Sequence, residues 1–90
     1  MDKERLERLR AHLDETHTWP AVFMFKFVLP KEEEKVTQLK LIFGQSAEFK
    51  ERLSRKGNYI SVTIQEMMLN ADAIFDRYLE ASKIEGIIAL

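Results

Sequence analysis

The sequence predicts an α+β domain: a four-stranded antiparallel sheet in the order βαββαβ, two helices on one of its faces, and an extra helix at the N-terminus. Three observations predict it. Residues 21–29 (AVFMFKFVL) and 58–65 (NYISVTIQ) alternate with a period of two, the mark of a strand. Residues 30–43 and 71–83 carry apolar side chains at helical spacing after strand-like runs. A basic glycine turn, Ser54-Arg55-Lys56-Gly57, separates two strand-like runs as a hairpin turn does.

Composition bounds the reading. Ninety residues make one small domain, here divided into an N-terminal helix (1–17) and a sheet domain (18–90). A chain of this length buries only about 60% of the surface its unfolded form exposes, so its stability margin is thin. Net charge is −1, which argues against a general phosphate-binding surface while leaving room for a local basic patch. The absence of cysteine excludes a disulfide framework, a thiolate metal site and a cysteine nucleophile. No apolar run approaches about 18 residues, so no membrane span is expected. The opening MDKERLERLRAHLDE lacks an apolar signal core, and the cytoplasm is the expected compartment.

The elements follow in order. Residues 2–15 read as a helix capped by Asp2, with Leu6, Leu9 and Leu13 in one narrow stripe and Glu4–Arg8 as an i, i+4 pair. Three leucines cannot hold so short a helix alone, so it must dock. The first strand places Phe23, Phe25 and Phe27 on one face, and Val22, Met24, Lys26 and Val28 on the other. Pro30 fits the first position of the next helix, and Glu32, Glu33 and Glu34 suit its positive end. Val36, Leu39 and Phe43 form that helix's buried face, with Ile42 at its edge, and Gly44 reads as its stop. Residues 48–54 form a charged, edge-like strand, with Phe49, Glu51 and Leu53 on one face and Lys50 and Arg52 on the other. After the turn, where Gly57 supplies a positive φ that Asn58 also tolerates, Ile60, Val62 and Ile64 oppose Tyr59, Ser61, Thr63 and Gln65. Asn70 caps a last helix whose inner face is Ala71, Ile74, Phe75 and Tyr78. Residues 85–90 (EGIIAL) close the chain as a short strand. This order is the ferredoxin-like split βαβ arrangement, with the strands beginning at 21 and 58 in the centre.

The chemistry is less marked. Lys56-Gly57 matches the start of the RNA-binding RNP1 signature, but Asn58, Tyr59, Ile60 and Ser61 miss its next four positions. Nucleic acid is therefore a disfavoured partner. His12 and His17 are five apart, off the spacing that places two metal ligands on one helical face, so neither a metal nor a cofactor is expected. Asp72, Asp76 and Glu80 line the outer face of the last helix, without a cleft to separate their pKa values. No nucleophile–base–acid set is present, and no enzymatic activity is expected. The open sheet face, by contrast, is too apolar along the first strand to stay wet over a large area. The simplest cover is the N-terminal helix folded back upon it; a second copy or a partner protein are the others.

The pattern Ser54-x-Lys56-Gly57-x-Tyr59-x-Ser61-Val62, with TWPAVFMFKFVLP upstream and ASKIEGIIAL downstream, resembles the YbeD-like family of small uncharacterised bacterial proteins, in a form similar to its Bacteroidetes branch. The resemblance covers about residues 18–90. It implies a ferredoxin-like fold similar to ACT regulatory domains and implies no catalytic residue or cofactor. Taken together, the expectation is a non-enzymatic regulatory or interaction domain that binds a protein partner, a second copy or a small anionic metabolite. Nucleic acid at the same surface is the alternative. The candidate binding residues are Arg55, Lys56 and Gly57 at the turn, with Tyr59, Lys26 and Arg52 near it.

Overall fold

A computed structural model describes residues 3–16 and 18–90. Asp2 and His17 lie outside the described residues, as do the side chains of Leu6 and Asp14. The elements are α1 (Lys3–Thr16), β1 (Ala21–Pro30), α2 (Glu33–Ile42), β2 (Glu48–Leu53), β3 (Tyr59–Met68), α3 (Ala71–Ala81) and β4 (Ile88–Ala89). The strands form one antiparallel sheet in the order β2-β3-β1-β4, so β1 and β3 are central and β2 and β4 are the edges.

The alternation in β1 and β3 decides which face is buried. Phe25 stands opposite Ile64, Phe27 opposite Val62 and Leu29 opposite Ile60, and all but Ile60 of these six are buried. Such directly opposed apolar pairs are the unit of sheet stability. α2 and α3 cover this face with Leu39, Ile74 and Ala81. Phe25 is the centre of an aromatic cluster: its ring lies 4.9 Å from Phe43 and 5.3 Å from Tyr78. The first pair is edge-on and the second tilted, and aromatic pairs add about 0.5–1.5 kcal/mol each beyond the area they bury. Asn70 caps α3 as expected, its Oδ1 accepting the Ala73 N–H at 2.9 Å.

Five local expectations are corrected. Pro30 is the last residue of β1, paired with Tyr59, and α2 begins after the extended residue Glu32. Even-numbered residues of β1 direct their backbone groups away from β3, so the missing N–H of Pro30 costs the central ladder nothing. Gly44 has no positive φ and is not a left-handed helix stop. Glycine suits the position because a Cβ would stand 2.6 Å from Glu66 Oε2, and the carboxylate would have to shift to admit it. Asn58 does not share the positive φ of Gly57, which is +76°. β3 runs on to Met68, placing Glu66 and Met68 on the buried face. The last strand is confined to Ile88–Ala89.

The fate of α1 differs as well. It does not cover the open sheet face. It packs beside α3, where Leu13 reaches the core and Arg10 pairs with the Asp72 carboxylate. Phe23, Phe75 and Tyr78 offer its leucines an apolar seat there, whereas the open face carries Lys26, Lys50 and Arg52. Among the described residues no helix is long and apolar enough to cross a membrane.

Candidate functional site

The open sheet face is assembled by register. β2, β3 and β1 align Arg52, Ser61 and Val28 in one row and Lys50, Thr63 and Lys26 in the next. The Thr63 hydroxyl thus stands between two lysines and the Ser61 hydroxyl between Arg52 and Val28, and rows two residues apart lie about 6.8 Å from each other along the strands. Tyr59 opens β3 at one end of this face and is 49% exposed. Val22 and Met24, at the far end, are 59% and 55% exposed, so the face is bare.

The hairpin shapes the basic end. Ser54 accepts the Gly57 N–H on its carbonyl at 3.0 Å and the Tyr59 N–H on its hydroxyl at 3.1 Å, and its own N–H reaches the Tyr59 carbonyl at 2.9 Å. A Cβ at Gly57 would meet nothing within 4 Å, so glycine is needed there for its φ alone. The Gly57 N–H is consumed inside the turn. The role of Gly57 is to form the hairpin that presents its neighbours.

Of the six sequence-predicted residues, Arg52, Arg55 and Tyr59 come together. They line one open concavity of about 480 Å3 whose floor is Val28 and Ser61. Lys26 stands one row away, and Lys56 and Gly57 belong to the turn without lining the concavity. Lys50 was not singled out by sequence reasoning; its shared parity with Arg52 on β2 was the available signal.

The open face carries bases that no ion pair among the described residues engages. Ion pairs join Arg10 to Asp72, Lys35 to Glu32, Lys40 to Glu51, Arg77 to Glu66 and Lys83 to Glu80, each using a residue of a helix or its flank. Lys26, Lys50, Arg52, Arg55 and Lys56 have no ion-pair partner among the described residues, and Glu48 is the one acid on the open face. A chain of net charge −1 therefore carries a local basic surface. Two guanidinium groups on one concavity match the geometry of a phosphate or carboxylate, which they bind through paired N–H donors.

The sheet, α2, α3 and the end of α1 coincide with a recognised unit. Residues 14–90 match the family described as "Protein of unknown function (DUF493)". The chain belongs to this family. No curated protein and no solved structure matches it. The DUF493 match includes every strand and the whole basic face, whereas most of α1 precedes it. On the helix side of this DUF493 chain, Asp72 and Glu80 are engaged with Arg10 and Lys83. Among the described residues no group of three or more His, Asp or Glu is placed to hold a metal ion.

Proposed function

We propose that this protein is a non-enzymatic binding domain whose open sheet face takes an anionic ligand at the Arg52–Arg55–Tyr59 concavity. The observation that carries the reading is the clustering on one open concavity of Arg52 and Arg55, neither of which has an ion-pair partner among the described residues, beside the half-exposed Tyr59 ring. An unpaired arginine pair beside an exposed aromatic ring favours a compact ligand with one anionic head and a flat body, a small metabolite. The concavity is within the 300–1,000 Å3 range of small-molecule sites. The proposal extends to a ferredoxin-like, ACT-like regulatory fold, supported by the strand order, which reads β4-β1-β3-β2 from the opposite edge. It extends likewise to the YbeD-like affiliation and a cytoplasmic location.

A second reading has one observation in its favour. Tyr59 lies exposed on a central strand, where a base can stack, and the rows of Arg52 and of Lys50 with Lys26 can follow a phosphate backbone. The experiment is backbone-amide shift mapping with adenosine monophosphate and with a twelve-nucleotide single-stranded RNA at two salt concentrations. The first reading expects shifts at Arg52, Arg55, Tyr59 and Ser61 with the mononucleotide, abolished by Arg52→Glu. The second expects RNA binding whose log–log salt slope is near −0.7 per phosphate contacted, about −2 for three bases. Shifts confined to the helix side with both ligands sink both readings.

A further inference from the structure

The bases of the open face stand at two levels, and the register fixes their order. Along β3 the outward residues run Tyr59, Ser61, Thr63, Gln65. Tyr59 is the exposed ring, and Ser61 lies between Arg52 and Val28 in the Arg52–Arg55 concavity. Thr63, one level on, lies between Lys50 on β2 and Lys26 on β1. Past that level the bases stop: Gln65 stands between Glu48 and Met24, and Met67 stands opposite Val22. Along β3 the order is therefore ring, first cationic level, second cationic level, acid.

The second level can hold an anion of its own. Neighbouring strands lie about 4.8 Å apart, so Lys50 and Lys26 each stand one strand spacing from Thr63. A four-carbon stem is long enough to bring both ammonium groups over Thr63, whose hydroxyl can donate a hydrogen bond between them. Both lysines are exposed, and neither has an ion-pair partner among the described residues. Glu48 shares a small concavity of about 70 Å3 with Met24, Lys50, Thr63 and Gln65. Its carboxylate repels an anion on that side, so a group held by the lysines sits toward Ser61 and the arginines. The row spacing of about 6.8 Å sets the scale of the separation between the two anionic groups.

We infer that this face takes a small aromatic metabolite with two separate anionic groups, of which a nucleoside bisphosphate is the type, rather than one with a single anionic head. The inference rests on the proposed role of the Arg52–Arg55–Tyr59 concavity and adds to it a second subsite, Lys50–Thr63–Lys26. The two levels differ in chemistry. Paired arginine N–H donors orient the first group, whereas the lysines act on the second as point charges. A single anion leaves the lysine level idle. A longer polyanion running along β3 meets the Glu48 carboxylate after its second group.

The test is isothermal titration calorimetry of the full chain with adenosine 5′-monophosphate and adenosine 3′,5′-bisphosphate at one ionic strength. The bisphosphate should bind at least tenfold more tightly. Lys26→Gln with Lys50→Gln should remove that gain while changing monophosphate affinity less than about threefold, and Arg52→Gln should weaken both. In phosphorus NMR with the unaltered protein both signals of the bisphosphate should shift, which decides the matter even if the double variant does not fold. Monophosphate binding without the tenfold gain, a gain that survives the double variant, or a shift of one signal alone overturns the second subsite and leaves the first reading standing. Binding of neither nucleotide overturns both. A twelve-nucleotide RNA that binds more than tenfold tighter than the bisphosphate also overturns the inference, because the cationic track then extends past two levels.

Discussion

Replacing Arg77 by alanine strips three contacts at once. Its Nη1 donates to the Ile42 carbonyl at the end of α2 at 2.6 Å, its Nη2 lies 3.0 Å from Glu66 Oε1, and its guanidinium sits 5.5 Å from the centre of the Phe43 ring. The Glu66 side chain is 4% exposed and Arg77 is 31% exposed. Glu66 holds a hydrogen bond from the Gly44 N–H at 2.7 Å on its other oxygen. The contact with Arg77 is close enough for an ion pair but misses hydrogen-bond geometry, so Oε1 is left with charge attraction alone. Removing one partner of a buried pair typically costs about 3–5 kcal/mol, because a charge stays buried and unmatched. Solvent reaches Arg77, so the low end applies, about 3 kcal/mol. That is a large share of the roughly 5–13 kcal/mol expected for ninety residues. At about 4–8 °C per kcal/mol, the melting temperature should fall by about 12–24 °C. Urea unfolding followed by circular dichroism measures the loss, with an unchanged slope certifying a stability effect. Glu66→Leu with Arg77→Leu removes both charges and should recover most of it. A loss below about 1 kcal/mol for Arg77→Ala, or a double variant no better than the sum of the singles, would refute the account of a buried pair that clasps α2 to β3 and α3.

Three other outcomes are expected. Gly57→Ala should cost about 1–2 kcal/mol through its left-handed φ alone, and Gly57→Asn less, by chemical denaturation. Asn70→Ala should cost about 1 kcal/mol through loss of the bond to the Ala73 N–H, with α3 amides exchanging faster near their start. Burial raises the Tyr78 pKa above its ordinary 10.0, so the folded state holds its proton longer than the unfolded chain. The contribution is intact below pH 10 and is lost as pH climbs through the folded value; Tyr78→Phe should flatten this alkaline decline in the melting temperature.

Where a residue's fate depends on its near neighbours, the sequence disclosed it. Phe23, Phe25 and Phe27 alternate with Val22, Met24 and Lys26, and the burial follows that parity. Asn70 and Gly57 were legible for the same reason: capping and φ are local demands. Glu66 was not, because a carboxylate ends an apolar alternation and its burial depends on Arg77 and Gly44, far away in the chain. Pro30 was misread because its tolerance at the end of β1 depends on which neighbour its nitrogen faces, a matter of sheet order. The leucine stripe of α1 announced docking but could not name its seat beside α3. For the candidate site, the bases were legible singly; that Arg52 and Arg55 share a concavity required the hairpin's shape.

Gly44 and Glu66 carry a consequence for how this chain can diverge. Gly44 is small on behalf of a carboxylate that arrives from another strand, and its own backbone conformation makes no such demand. The two positions therefore form one heritable unit. A descendant that shortens residue 66 frees residue 44 to acquire a side chain, whereas a side chain gained first at 44 must displace the carboxylate. Change at this corner of the fold is coupled: what residue 44 can become depends on where the carboxylate of residue 66 lies.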